Sequence, residues 1–282
     1  MSQNPFRISA VTIGLIFLCT CSLNSQNLSE NIAAEKAEAK SFNTPLSLDA
    51  AKAIRVGDVV KLQKLIREGL DVDYESLELS MDWGQDTVTL LLWAAIFNQP
   101  EVAEALLKAG ANPDKSTRRG VTPLMVASSG ESDSLFSLLC NQFQADPNKI
   151  SELVIAKTAL IAAIQDGNKL GEKRFRRASM LLARGAKLDL NVDRGATALI
   201  ILARHRQWEP VYWLLEQGTD YEKRDFVKSS AMCYLRNSYR VNHAETSDRW
   251  PYQNKVRDWF LSHGVARSRV DPALHPDSKC DD

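Results

Sequence analysis

The hydrophobic pattern divides the 282-residue chain into three stretches. Ile8, Ala10, Val11, Ile13, Leu15, Ile16, Phe17 and Leu18 make an uncharged apolar run behind Arg7 and the N-terminal amine. Residues 22–44, SLNSQNLSENIAAEKAEAKSFNT, are polar and Ala-rich with few large apolar groups. From residue 45 to about residue 265, apolar positions return in units of near-constant length. The clearest are TLLLWAAIFNQPEVAEALLKAGANPD (89–114) and TPLMVASSGESDSLFSLLCNQFQADPN (122–148), whose opening threonines stand 33 residues apart. A third, TALIILARHRQWEPVYWLLEQGTDYE (197–222), places Gly218 at the offset from Thr197 that Gly110 has from Thr89. Such a period holds two short helices and a turn. Thr at the start can cap the first helix, Pro in its first turn needs no donor, and Ala further on lets helices approach closely. Gly after the second helix accepts the left-handed conformation that ends it.

Gly120-Val121-Thr122-Pro123-Leu124 and Gly195-Ala196-Thr197-Ala198-Leu199 match the opening of one repeat family. Gly110-Ala111-Asn112-Pro113-Asp114, Ala145-Asp146-Pro147-Asn148 and Gly185-Ala186-Lys187-Leu188-Asp189 match its close. Together they resemble the ankyrin repeat, G-x-T-P-L-H-x-A-A … G-A-D-V-N. The resemblance implies an all-α solenoid of about six helix-turn-helix units with inserted loops, stable only as a stack. The first unit, taken as residues 47–73, lacks the opening motif and is rich in charge, as a capping repeat would be. The fourth opens at Lys157-Thr158-Ala159-Leu160 and the sixth near Ser230-Ala231-Met232; both carry extra residues, as does YESLELSMDWGQD (74–86) between the first two units. Inserted loops on a rigid scaffold are where specificity is usually placed. The expected organisation is a leader at 1–20, a polar tether at 21–44, the repeat domain at 45–266 and a C-terminal tail at 267–282.

The leader has a secretory layout, and its apolar run stops well short of the roughly 20 residues that span a bilayer core. Leu18-Cys19-Thr20-Cys21 resembles a bacterial lipoprotein processing box, with Thr20 where Gly, Ala or Ser is usual. That implies lipidation of Cys21, with Ser22 matching an outer-membrane destination. Ordinary secretion and a retained anchor fit the same run, although no clean A-x-A site follows it. The 35 basic and 35 acidic residues balance, so no general attraction to nucleic acid or anionic lipid is expected. Cys140, Cys233 and Cys280 are too sparse for a disulfide framework, though one bridge stays open. Cys140 and Cys233 lie in apolar helical patterns and read as buried thiols.

No nucleophile motif, phosphate-binding loop or paired C-x-x-C occurs, and the four histidines lack ligand spacing. No catalytic residue, metal or cofactor is therefore expected. DLNVDRG (189–195) alternates carboxylates as a calcium loop does, yet its glycine falls one place late and its twelfth position is Ile200, which leaves an ordinary repeat turn. EKRFRRAS (172–179) reads as a solvated helix extension or a contact patch for an acidic partner. Trp213 and Trp259 read as core. Trp83 and Trp250 sit in insertions, where contact and local packing are both open.

In the resembled family, partners are gripped by the turn tips before each Thr and by the ends of the first helices. Carried over, these places are Gln85, Val88, Ile96 and Phe97 in the second unit, and Arg118, Arg119 and Val121 in the third. Gln165 and Asp166 follow in the fourth, with Arg194, Arg204 and His205 in the fifth. Ile96 and Phe97 are large apolar groups at a normally solvated place, which suggests either an interface or a packed-down Trp83 loop, and the arginines beside them fit interface composition. The resemblance to exported ankyrin lipoproteins implies an immunity protein of the bacterial periplasm that covers the active site of an antibacterial toxin, such as a lipase of a type VI secretion system. The alternative is a periplasmic scaffold or stress-protection protein holding an endogenous envelope partner.

Overall fold

The computed structural model describes residues 39–81, 84–153, 157–165, 171–241 and 250–274. Cys21, Trp83 and Asp166 lie outside them, as do the leader and nearly all of the tether. The chain separates into two compact units, Met1–Leu153 and Val154–Asp282.

In the first unit, α1 (Pro45–Val56) pairs with α2 (Val59–Arg67), α3 (Leu90–Ile96) with α4 (Pro100–Lys108), and α5 (Pro123–Ser129) with α6 (Asp133–Ser137). A π-helical turn, Leu138–Gln142, continues α6. The first helices of successive pairs pack on one another, α1 on α3 and α3 on α5, and the second helices do the same. Every residue of α3 is buried. A helix that is apolar all round needs neighbours on all sides, which only the adjoining repeats supply.

Thr89 and Thr122 cap α3 and α5, their hydroxyls accepting from Leu92 N at 3.1 Å and Met125 N at 3.3 Å. The first repeat opens the same way. Thr44 Oγ1 accepts from Ser47 N and Ser47 Oγ from Thr44 N, both at 3.1 Å, with Pro45 following the cap. Thr44-Pro45-Leu46 is thus an opening motif for the first unit, which the sequence alone suggested lacked one, and its Thr44 falls in the stretch expected as tether. Packing extends further back, because Ser41 and Phe42 are buried and the Phe42 ring lies 5.6 Å from Trp93.

The insertion 74–86 forms an antiparallel hairpin, β1 (Leu79–Met81) with β2 (Gly84–Asp86), in the register Leu79 to Asp86 and Ser80 to Gln85. It is bound into the repeats. Leu77 N donates to Ser41 O at 2.8 Å, and the buried Asp86 carboxylate accepts from Thr87 N at 2.9 Å and Arg118 N at 3.0 Å.

The second unit pairs α7 (Ala159–Ile164) with α8 (Lys173–Ala183), α9 (Ala198–Arg204) with α10 (Trp208–Glu216), and α11 (Ala231–Val241) with α12 (Trp250–Ser262). A short helix, α13 (Arg267–Val270), packs on α11 with Val270 buried, and Arg269 forms two 2.9 Å bonds with Glu222. The stretch expected as a tail therefore begins as part of the fold. The basic string on α8 is also not a solvated extension. Arg174 and Arg177 are buried; Arg174 pairs with Glu209 on α10, and its guanidinium lies 4.6 Å over the Phe175 ring. Among the described residues Trp93 and Trp208 are buried indoles, whereas Trp213 and Trp259 are half-buried, Trp213 stacking on Phe175 at 5.4 Å.

Cys140 is a buried thiol in no disulfide, as expected. Cys233, equally buried, is disulfide-bonded, and its partner lies outside the described residues. An apolar helical pattern signals burial, not redox state, which is why the thiol reading failed there.

Asp189 closes a repeat turn rather than opening a calcium loop. It accepts from Thr219 Oγ1 at 2.7 Å and from Asp220 N at 3.1 Å on the next turn. The first unit repeats this bond: Asp73 accepts from Asn112 N at 2.9 Å, and Asp114 from Asp146 N at 2.7 Å. A carboxylate on one turn thus holds the backbone of the next and sets the register of the stack.

Thr197 also stands at a helix start, but its buried hydroxyl makes no hydrogen bond. Thr89→Val removes a working cap and should cost about 1 kcal/mol. Thr197→Val discards a buried hydroxyl without a partner and should be neutral or stabilising. Urea midpoints of the two variants against wild type check the contrast.

Candidate protein-binding surface

The described repeat tips are turns just before the Thr or Ser that opens a first helix, closed by a backbone reversal. In the first unit, Thr117 N donates to Val121 O at 2.9 Å, and Gly120 turns the chain with φ 78°. A Cβ on Gly120 would stand 2.4 Å from Ile150 O, so the next tip packs directly on its backbone. Arg118 projects from this turn, and its Nη1 lies 2.6 Å from Glu78 Oε1 at the base of the hairpin. Arg119 is half-buried, and its carbonyl accepts from Glu152 N at 2.7 Å. Gln85 is exposed on β2.

Val88 and Val121 cannot contact a partner. Both are buried, at 0% and 1% exposure. The reason lies in the extended backbone, where side chains alternate between faces. Val88 exchanges bonds with Ser76, its N donating to Ser76 Oγ at 3.0 Å and its carbonyl accepting from Ser76 N at 2.9 Å, and its side chain turns into the core. Ile96 is buried too, as the last residue of α3. Phe97 is half-buried, set edge-on to Trp93 with 4.8 Å between centroids. The apolar pair therefore belongs to the local packing that includes Trp93 and Phe42.

In the second unit, Gln165 is half-buried just beyond α7, and the Trp250 side chain lies outside the described residues. Arg194, Arg204 and His205 do converge. Arg194 is exposed at a tip in the left-handed conformation (φ 47°), with its guanidinium 5.0 Å over the Phe226 ring. Arg204, at the end of α9, places Nη2 3.7 Å from Asp193 Oδ2. His205 follows, half-buried; burial lowers its pKa below the ordinary 6.5, and the Arg204 charge lowers it further. The imidazole is thus neutral near pH 7. Among the described residues no group of His, Cys, Asp and Glu is placed to hold a metal ion, and no helix is long and apolar enough to cross a membrane.

Sequence reasoning missed the next tip, Asp225–Ser229. Phe226 precedes Ser230 by the interval that separates Arg118 from Thr122, so the repeat period alone could have found it.

Residues 48–151 match the family model "Ankyrin repeats (3 copies)". These are ankyrin repeats. Ankyrin similarity also extends to the Ankyrin repeat and KH domain-containing protein mask-1 of Caenorhabditis elegans, 31% identical over 157 residues. That stretch takes in 56% of this chain and 6% of mask-1, so the chain corresponds to a small part of that relative. Solved structures share the ankyrin fold across the larger part of the chain. The human ASB11 ankyrin repeat domain superposes with a TM-score of 0.52 at 19% identity, covering 81% of this chain and 92% of that one. A chain from the complex of the Bdellovibrio bacteriovorus predatory endopeptidase Bd0816 with immunity protein Bd3460 gives 0.54 at 19% identity, covering 73% and 97%. The ankyrin repeat protein EF0377 gives 0.53 at 21% identity, covering 74% and 95%. At these identities the likeness is one of fold, and the all-α ankyrin-repeat architecture is that of this chain.

His205 yields a pH prediction. A histidine whose folded pKa lies below its unfolded value contributes stability above pH 6.5 and loses it as the pH falls through the folded value. Wild type should therefore lose more stability than His205→Gln between pH 7 and pH 5. Paired urea titrations across that range measure the difference, and parallel curves would mean the ring is not desolvated.

Proposed function

We propose that this protein is an envelope-located ankyrin-repeat binding protein that acts as an immunity protein, covering the active site of a toxin that works in the bacterial periplasm. The fold supports the binding part of the reading, since ankyrin repeats bind other proteins and two tips here project arginines. The observation that supports the location is the disulfide at Cys233. Structural disulfides persist in oxidising compartments such as the periplasm and are rare in the bacterial cytosol. The secretory layout of residues 1–20 points the same way, and lipidation at Cys21 would hold the inhibitor at the membrane, raising its effective concentration there. One solved structure of the same fold is a complex of an endopeptidase with an immunity protein, the kind of pairing proposed here.

Neutralisation is steric in this reading. Arg194 and Arg204, together at one tip of the second unit, would contact the rim of the toxin's active-site cleft and keep its substrate out. Charged rim contacts chiefly set encounter rate and partner choice, while buried anchors hold the complex.

Periplasmic expression of the toxin encoded beside this gene should arrest growth, and coexpression of this chain should restore it, with Arg204→Glu weakening the rescue at least tenfold. No rescue by wild type, or no toxin gene beside it, sinks the immunity reading. Location is checked separately. In exported protein, a thiol reagent should label Cys140 after denaturation alone and Cys233 only after denaturation and reduction. Labelled palmitate should enter wild type and not Cys21→Ala; label absent from both would remove the lipid anchor.

A further inference from the structure

The tip Asp225–Ser229 is held by one inward carboxylate. Asp225 is 5% exposed; its Oδ1 accepts from Val227 N at 3.1 Å and Ser229 N at 3.0 Å, and its Oδ2 from the Tyr234 hydroxyl at 2.8 Å. Asp225 N donates to Ser229 O at 3.1 Å and Lys228 N to Asp225 O at 2.9 Å, with Lys228 left-handed at φ 60°. The turn's polar groups are largely occupied within it, so its shape does not depend on a partner. What it presents outward is apolar: Phe226 is 58% exposed and Val227 53%.

Cations surround this apolar pair. Arg194 lies over the Phe226 ring, Lys228 is exposed, and Arg224 Nη1 donates to the Lys228 carbonyl at 3.3 Å. Among the described residues no carboxylate pairs with Arg194 or Lys228: Asp225 is held inside the turn, Asp193 lies by Arg204 and Glu222 by Arg269. Two cations, Arg194 and Lys228, thus stand exposed beside the apolar pair in a chain whose formal charge is zero.

We infer that Phe226 and Val227 form a docking knob for a protein partner that offers an apolar pocket rimmed with carboxylates. The inference rests on the reading of the chain as a protein binder and adds the place and chemistry of the contact. Complementary charge around an apolar anchor is the usual composition of an interface centre and its rim. A preformed turn loses little entropy on binding, so two anchors suffice for a hot spot. The same two side chains are a poor membrane anchor, since even a whole myristoyl chain holds a protein only marginally.

The test needs no named partner. A library of short random peptides is panned in parallel over the exported wild-type chain and over Phe226→Ser/Val227→Ser. Sequences enriched on wild type alone should combine Asp or Glu with Leu, Phe or Trp. One such peptide, synthesised, should bind at least about tenfold more weakly to the Ser variant and to Arg194→Glu/Lys228→Glu, a loss expected of hot-spot residues. Both knob residues are more than half exposed, so the Ser variant should melt close to wild type; if it does not, the charge-reversal variant carries the comparison. Equal enrichment on both proteins, or enrichment of basic peptides, overturns the inference. So does Phe226-dependent sedimentation with phosphatidylglycerol vesicles without peptide binding. Failure of toxin rescue with a positive peptide result removes the immunity reading and leaves the knob standing.

Discussion

Burial of the first helix of each repeat is the constraint on which the rest depends. Leu90–Ile96 and Ala159–Ile164 are buried along their whole lengths, which no single helix pair can accomplish. Fully burying a Leu or Ile side chain is worth about 1.5–3 kcal/mol, so repeats must be stacked and the ends of each stack covered. The packing of Phe42 against Trp93 and of α13 against α11 follows from that need. Both lie in stretches that composition alone assigns to a tether and a tail.

Apolar burial does not set register; polar groups do. The threonine caps fix where helices begin, and Asp73, Asp114 and Asp189 each accept a backbone N–H from the following turn. Because the turns are clamped to one another, the tips are presented rigidly. Asp86 and Asp225 make the same choice at two tips, spending a carboxylate on backbone donors while Arg118 stays exposed at one and Phe226, Val227 and Lys228 at the other. The surface offered to a partner is thus a by-product of how the tips are held.

The functional reading combines this surface with compartment. Repeats alone say that something is bound. In the proposal, the disulfide at Cys233 and the secretory pattern expected of residues 1–20 support an oxidising compartment, and the exposed cations at the tips favour a partner with acidic groups at its contact surface. The basic string on α8, which looks like a second contact patch, has its central arginines committed to the fold through Glu209 and burial.

The repeat period, the capping threonines and the glycines after second helices are local signals, since a cap or a left-handed turn depends on residues three or four apart. The sequence by itself therefore determined the ankyrin architecture and the position of most helices. Tertiary structure decided the rest. Val88 and Val121 became core because extended backbone turned them inward, Arg174 met Glu209 on another helix, and residues 79–86 paired as a hairpin anchored to Ser41 and Arg118. Cys233 is bonded to a sulfur that no local pattern identifies. In each case the deciding partner is remote along the chain, and side-chain burial and pairing are set by what the fold brings near.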